Sequence, residues 1–246
     1  LFNAGKGAVY TYAGEHELDA SIMHGAQRNA GAVAGVKTIA SPIKAAQAVM
    51  NQSVHVMLSG EGAETFAKEQ GLAQVDNQTF NTERRFKALQ KAKQAIADRQ
   101  TNLVKFQDYK FGTVGAVVLD QYGNLVAGTS TGGMTAKRYG RIGDSPVIGS
   151  GTFADNDSCA VSSTGHGEYF IRYQVAADIC ARMAYQGKNL TQAADEVVNG
   201  VLVEAQGSGG VIAMDSSGNI AMPFNTEGMY RGSIDIHGKI SIKIYK

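Results

Sequence analysis

A threonine that directly follows a glycine at the start of an apolar run can support an unusual kind of chemistry. In KFGTVGAVVLD, residues 110–120, Thr113 opens the run after a polar, charge-bearing segment. Threonine is a common strand residue, so a simple strand start is one reading. The other is that the chain is cut between Gly112 and Thr113, which makes Thr113 a new N-terminus. A hydroxyl is a poor nucleophile until a base takes its proton. A freed α-amine, with a pKa of about 7.7–8.0, would supply that base within the same residue. The first cut can use the same hydroxyl against the Gly112 carbonyl, through an ester, and glycine there tolerates a strained backbone.

Further threonines and glycines gather downstream in TSTGGM (129–134), GRIGDSP (140–146) and SSTGHGE (162–168). The last joins a strand to a helix N-terminus, where unpaired backbone N–H groups and a threonine hydroxyl can bind a developing oxyanion. A Ser/Thr/Gly helix cap without catalytic duty is the plainer alternative. In GRIGDSP, Arg141 and Asp144 stand three apart in a glycine-framed loop. An arginine clamps a carboxylate and an aspartate holds an ammonium, so together they could grip an amino-acid zwitterion; a surface salt bridge is the alternative.

Other machinery is missing. There is no G-x-S-x-G elbow, no Walker loop and no H-E-x-x-H. SPIK at Ser41–Lys44 matches S-x-x-K, but it starts a helix at Pro42 and lacks the companion motifs. The histidines show no metal spacing, and His166 reads as a loop or turn residue.

The elements that must hold these residues are legible in part. Residues 7–12 and 16–24 read as a hairpin and 29–36 as a buried strand. Ser41 caps a helix over 41–53 that starts at Pro42, and a second helix, 60–71, stops at Gly71. Residues 82–110 are charge-rich and helical in part, with a flexible connector expected from about residue 85 and above all in the second half. After Thr113 come a hairpin through QYGN, a strand at 158–163, and one long helix over 168–186 stopped by Gly187. Next are a helix over 191–204 capped by Thr191 and a hairpin over 209–224. A tail hairpin turns at His237-Gly238. Asp120, Gly123, Asn124, Thr131, Gly133 and Met134 recur in constant register as Asp215, Gly218, Asn219, Thr226, Gly228 and Met229. Two hairpins delivering similar loops to one side of a sheet would produce this, and shared D-x-x-G-N turn chemistry explains the turn residues alone. Without a βαβ rhythm, the pattern predicts an α+β layered sandwich of antiparallel sheets covered by helices.

The 246 residues suffice for one large core, and 43% apolar with 18% charged residues is globular composition. A net charge of +1 leaves no footprint for nucleic acid. No apolar run is long enough to span a membrane, so no membrane association is expected. Cys159 and Cys180 read as free, buried small hydrophobes in a reducing compartment, which predicts a cytoplasmic protein. The abrupt opening on LFNAGKGAVY, without Met, reads as a fragment or a processed product.

Together, GTVGAVVLD, TSTGGMTAKRYGRIGDSPVIGSGTFADN, VSSTGHGEYFIR and GSGGVIAMDSSGNIAMPFNTEGMYRG closely resemble the plant-type L-asparaginases, or isoaspartyl (β-aspartyl) peptidases. These are N-terminal nucleophile hydrolases. The upstream LFNAGKGAVYTYAGEHELDASIM and AGAVAGV fit the family's α-subunit, while its first strand and His-Gly-Gly-Ala-Gly motif have no counterpart here. The resemblance implies a four-layer αββα sandwich and one structural domain. It also implies self-cleavage into α (1–112) and β (113–246) portions, with two αβ units in the working enzyme. It casts Thr113 as nucleophile, Thr131 as its hydrogen-bonding neighbour, and Arg141 and Asp144 as clamps on the α-carboxylate and α-amine. Thr164 and Gly165 become the oxyanion hole, Gly167 the pocket lining, and Asn3 the support of the nucleophile region. The implied substrates are L-asparagine and β-aspartyl dipeptides, hydrolysed to L-aspartate without a catalytic cofactor. LFNAGKG resembles the end of a structural sodium loop, bound through backbone carbonyls between Phe2 and Lys6. Two rivals stand beside this: a glycosylasparaginase, which typically has Asp where Gly112 stands, and an inactive fragment with a binding or scaffold role.

Overall fold

The computed structural model describes residues 2–99 and 112–246. The flexible connector expected from about residue 85 is corrected by a helix over Glu83–Arg99, and residues 100–111 fall outside the described residues. Strands β1 (Leu18–His24) and β2 (Asn29–Val36) form an antiparallel hairpin, and α1 (Pro42–Gln52) follows. Next come β3 (Met57–Ser59), α2 (Gly60–Glu69), a 3₁₀ turn (Asn77–Phe80) and α3 (Glu83–Arg99). Past Thr113 lie β4 (Val114–Leu119), β5 (Leu125–Thr131), β6 (Thr152–Ala154) and β7 (Cys159–Gly165). They are followed by α4 (Gly167–Arg172), α5 (Val175–Gln186), α6 (Leu190–Asp195), a π-helical turn (Glu196–Val201) and α7 (Leu202–Glu204). Strands β8 (Gly209–Asp215), β9 (Ile220–Ala221), β10 (Arg231–Ile234) and β11 (Ile240–Lys243) close the chain.

These elements make an α+β fold with one five-stranded sheet, β3-β2-β1-β5-β4, and one four-stranded sheet, β6-β7-β8-β9. The first sheet is shared across the Gly112–Thr113 junction: β1–β3 precede it and β4–β5 follow it. Strand alternation decides what each face meets. Leu18, Ala20 and Ile22 of β1 pack with Ala45, Ala46 and Val49 of α1 and with Ala63 and Ala67 of α2. Asp19, Ser21 and Met23 point the other way, and Met23 packs with Leu125 and Ala127 of β5 and Ala160 of β7. Phe170, Ile179, Leu190, Val198 and Leu202 pack against Val161 and Val211 of the second sheet.

Several expectations need correction. Residues 7–12 are not a strand; only Thr11 makes an isolated bridge, to Lys137, and the hairpin partner of β1 is β2. Gly5 and Gly7 take positive φ there, which keeps that stretch as a coil. The single helix expected over 168–186 is two. Gln174 adopts φ 48°, and the N–H groups of Ala176 and Ala177 turn to the Ser150 and Gly149 carbonyls. The helix expected to be capped by Thr191 is instead capped upstream by Asn189, in a capping box with Gln192. Cys159 and Cys180 are not free thiols but a disulfide. Helix α5 crosses the start of β7 and brings their Cα atoms to 5.3 Å.

The repeated turns are real turn chemistry. Asp120 accepts from the N–H groups of Tyr122 and Asn124, and Asp215 likewise from Ser217 and Asn219. Gly123 and Gly218 supply φ of 84° and 79°. The tail hairpin uses the same device: Asp235 accepts from His237 and Lys239, with Gly238 at φ 76°. Strands β10 and β11 form a two-stranded sheet of their own.

Candidate active site

Thr113 lies immediately before β4 rather than inside it, and its hydroxyl donates to Thr131 Oγ1 at 3.2 Å. Thr131 is buried at the end of β5, where its Oγ1 also accepts the Gly133 N–H at 3.0 Å. Doubly used as an acceptor, that oxygen fixes the direction of the Thr113 hydroxyl. Deeper along the pleat, Gly115 of β4 opposes Thr129 of β5. A Cβ on Gly115 would lie 2.0 Å from Ser162 Oγ on β7, so only glycine lets the two sheets approach here. Thr129 and Ser162 share a buried hydrogen bond of 2.7 Å.

Asn3 ties the junction to this site across most of the chain. Its backbone N–H donates to the Gly112 carbonyl at 2.9 Å, and its carbonyl accepts from Gly132 N at 3.0 Å. Its side chain donates to the Gly133 carbonyl at 2.7 Å and accepts from Val9 N at 2.8 Å. A Cβ on Gly132 would sit 2.7 Å from Asn3 Oδ1, so that position too is restricted to glycine.

Arg141 and Asp144, on the loop between β5 and β6, meet around Gly167. A Cβ on Gly167 would be 2.9 Å from both Arg141 Nη2 and Asp144 Oδ1. Arg141 Nη1 lies 3.6 Å from the corresponding point on Gly133, which closes the path back to Thr131. Asp144 is buried, and its Oδ2 has no hydrogen-bond partner among the described residues. Burial raises its pKa to about 7, only partly opposed by its own backbone N–H and Arg141. A buried carboxylate oxygen without a donor, beside a guanidinium and a glycine floor, suits an incoming ammonium. Thr164 and Gly165 end β7 just before Gly167. Gly165, at φ 157°, packs so closely on Gly209 and Phe170 that a side chain is excluded. The candidate site residues therefore lie on one connected path, from Gly112, Asn3 and Thr113 through Thr131 and Arg141–Asp144 to Gly167 and the end of β7.

The asparaginase family profile matches residues 1–244. The chain belongs to this family. Among its relatives, an isoaspartyl peptidase of Salmonella typhimurium is 52% identical over 94% of this chain and 74% of its own length. An isoaspartyl peptidase of Escherichia coli is likewise 52% identical, over 94% of this chain and 73% of its own length. An isoaspartyl peptidase/L-asparaginase of Homo sapiens is 42% identical over 89% and 69%.

This asparaginase-family chain also carries site features that residue types alone did not single out. Lys137 is buried, with Nζ donating to the Glu17 carbonyl at 2.9 Å and lying 3.8–3.9 Å from the Glu17 and Asp19 carboxylates. Burial lowers the Lys137 pKa and raises that of Asp19, each opposed by the other's charge. Glu168 takes both Arg141 Nε (2.9 Å) and Nη2 (3.0 Å). His166 Nε2 stands 3.3 Å from the same carboxylate, and burial lowers the imidazole pKa. Glu168 sits in the quoted SSTGHGE motif, but nothing in the spacing links it to a residue 27 positions earlier. Among the described residues, no group of three or more His, Cys, Asp or Glu side chains could hold a metal ion, and no helix is long and apolar enough to cross a membrane.

Proposed function

We propose that the chain is a self-processing N-terminal threonine hydrolase that cleaves the side-chain amide of L-asparagine and of β-aspartyl dipeptides, giving L-aspartate. The observation that carries this reading is the connected path from the Thr113–Thr131 hydroxyl pair through Gly133 to Arg141, which meets Asp144 at Gly167. The relatives' names, isoaspartyl peptidase and isoaspartyl peptidase/L-asparaginase, support the substrate class.

In processing, the Thr113 hydroxyl oxygen adds to the Gly112 carbonyl carbon, whose oxygen already accepts the Asn3 N–H. The C–N bond breaks to leave an ester and a free Thr113 amine, and water then hydrolyses the ester. In turnover, that amine takes the hydroxyl proton as Thr113 Oγ1 attacks the substrate's side-chain carbonyl. The developing oxyanion is held by the Thr164 hydroxyl and Gly165, while Arg141 and Asp144 hold the substrate's carboxylate and ammonium. Ammonia or the peptide amine leaves with the proton, and water releases L-aspartate from the β-aspartyl ester. Thr131 keeps the nucleophile aimed throughout.

The finer architecture belongs to the same reading. An αββα sandwich is supported by α1 and α2 against the first sheet, α5 and α6 against the second, and Met23, Leu125, Ala127 and Ala160 between the sheets. The division at 112–113 and the pairing of αβ units are parts of this proposal too. A cytoplasmic location stays with it only through the family reading, since the Cys159–Cys180 disulfide removes the free-thiol argument for it. Between Phe2 and Lys6, the Asn3 and Gly5 carbonyls already accept N–H groups. A structural sodium ion would therefore rest on the remaining carbonyls of that turn, and it supplies no chemistry to turnover. Gly112 and the relatives' names favour the peptidase reading over a glycosylasparaginase.

Intact mass spectrometry after incubation, with aspartate release from L-asparagine and β-Asp-Leu, tests the proposal. Two fragments meeting at 112–113 and released aspartate are expected. An uncut chain that yields no aspartate overturns it in favour of a binding or scaffold role.

A further inference from the structure

Glu168 is the second residue of α4 and closes the SSTGHGE motif. Its two carboxylate oxygens take Arg141 Nε and Nη2 at 2.9 and 3.0 Å, a side-on fork. A guanidinium has five N–H groups in a plane. Two are spent on Glu168, so the edge formed by Nη1 and the second Nη2 proton remains. That edge lies against glycines: Nη1 is 2.7 Å from where a Cβ on Gly143 would stand and 3.6 Å from that on Gly133. Nη2 is 2.9 Å from that on Gly167, the point shared with Asp144.

The pair is too solvated to matter much for stability, since the Glu168 side chain is 47% exposed and that of Arg141 17%. What a planar bidentate contact does provide is orientation. Burial pushes the Glu168 carboxyl up, but the Arg141 hydrogen bond and charge outweigh it and hold the pKa below the usual range. His166 Nε2, 3.3 Å from Oε2, backs the same group.

We propose that Glu168 is a positioning residue: it grips the Nε–Nη2 edge of Arg141 so that the adjacent Nη1–Nη2 edge is presented to the substrate's α-carboxylate beside Asp144. This rests on the proposed amidohydrolase function. The fork accounts for three facts together: the carboxylate follows the glycine motif, it takes the Nε side, and the Nη1–Nη2 side is floored by glycine.

The test compares processed wild type, E168Q and E168D in aspartate release from L-asparagine and in L-aspartate binding by calorimetry. E168Q loses the charge and half the fork. Its KM and the Kd for aspartate should both rise about tenfold, on the scale of one charge-assisted hydrogen bond, with kcat within about twofold and Tm unchanged. E168D keeps the charge and should recover part of the loss. Unchanged KM and Kd, a fall in kcat alone, or a loss of KM, kcat and Tm together would overturn the positioning role. Should E168Q fail to process, E168D carries the same comparison. A wild type that binds aspartate yet never releases it from L-asparagine overturns the proposed function instead, and the two Kd values still decide the role of Glu168.

Discussion

Replacing Asp144 with asparagine should destroy ligand binding and stabilise the fold, and the size of the second effect follows from the site. The Asp144 carboxyl ionises at 3.8 in an unfolded chain but at about 7 in the fold, chiefly because burial penalises its charge. The raised value fixes the sign. The neutral acid's contribution to stability is fully present below 3.8 and is lost as pH rises through about 7. At about 1.4 kcal/mol for each pH unit, the span from 3.8 to about 7 amounts to roughly 4 kcal/mol. Asparagine fills almost the same volume without a charge, so the variant escapes that loss. A Thr113→Ala background keeps the chain uncut, and urea unfolding with and without the Asp144→Asn change then compares like with like. The stability difference should be small near pH 4 and should grow in favour of asparagine by roughly 4 kcal/mol towards pH 8. L-aspartate should shift the Tm only where Asp144 is retained. A difference independent of pH, or an Asp144→Asn protein less stable at pH 8, would refute the assignment of Asp144 as a buried charge held ready for an ammonium.

Thr113→Ala should abolish both the cut and turnover; normal cleavage in that variant, read by intact mass, would remove Thr113 from its role as nucleophile. Gly167→Ala places a methyl group 2.9 Å from Arg141 Nη2 and Asp144 Oδ1. Aspartate binding should weaken at least tenfold, with about 1–3 kcal/mol lost in urea melts, as overpacking costs; wild-type binding would mean that the clamps do not meet at Gly167. Breaking the Cys159–Cys180 bond, which closes a separation of 21 residues, should cost about 2–4 kcal/mol. A Cys180→Ala protein as stable as the oxidised wild type would show that the bond constrains nothing.

How much of this was legible in the sequence depended on the distance over which each residue acts. Local devices could be read: β2 over residues 29–36, the proline-started α1, and the D-x-x-G turns each depend on neighbours within a few positions. Thr113, Arg141 and Asp144 could be proposed because their chemistry is carried by residue type and short spacing. What failed depended on remote partners. Residues 7–12 carry a strand-like pattern, yet Tyr12 N–H bonds to the Lys137 carbonyl instead of to a strand beside it. Gln174 breaks the 168–186 helix because Ser150 offers its hydroxyl and carbonyl from another loop. The Cys159–Cys180 bond required knowing that α5 crosses β7.

The position of the site at one end of the sheets follows from a gradient along the strands that can be read row by row. Met23, Ala127 and Val117 align across β1, β5 and β4, and this row is apolar. Two residues along, Ser21, Thr129 and Gly115 align, and the two hydroxyls join Thr152 and Ser162 in a buried chain of hydrogen bonds at 2.5–2.7 Å. Two further along, Asp19 pairs with Thr131, and Thr113 stands beside them with Lys137 close by. Polarity thus rises stepwise, from an apolar core row through satisfied hydroxyls to ionisable groups at the strand ends. The apolar row anchors the sheets, because its burial costs nothing in unmade hydrogen bonds. The hydroxyl row saturates itself, so it adds rigidity without leaving orphan groups. The last row keeps unspent polar capacity in the Asp19 carboxylate, as Asp144 does beside Arg141. A nucleophile placed one row deeper would be sealed between the sheets, and one placed a row further out would lose the strand that aims it. Thr113 stands where the β4–β5 ladder ends and unspent charge begins.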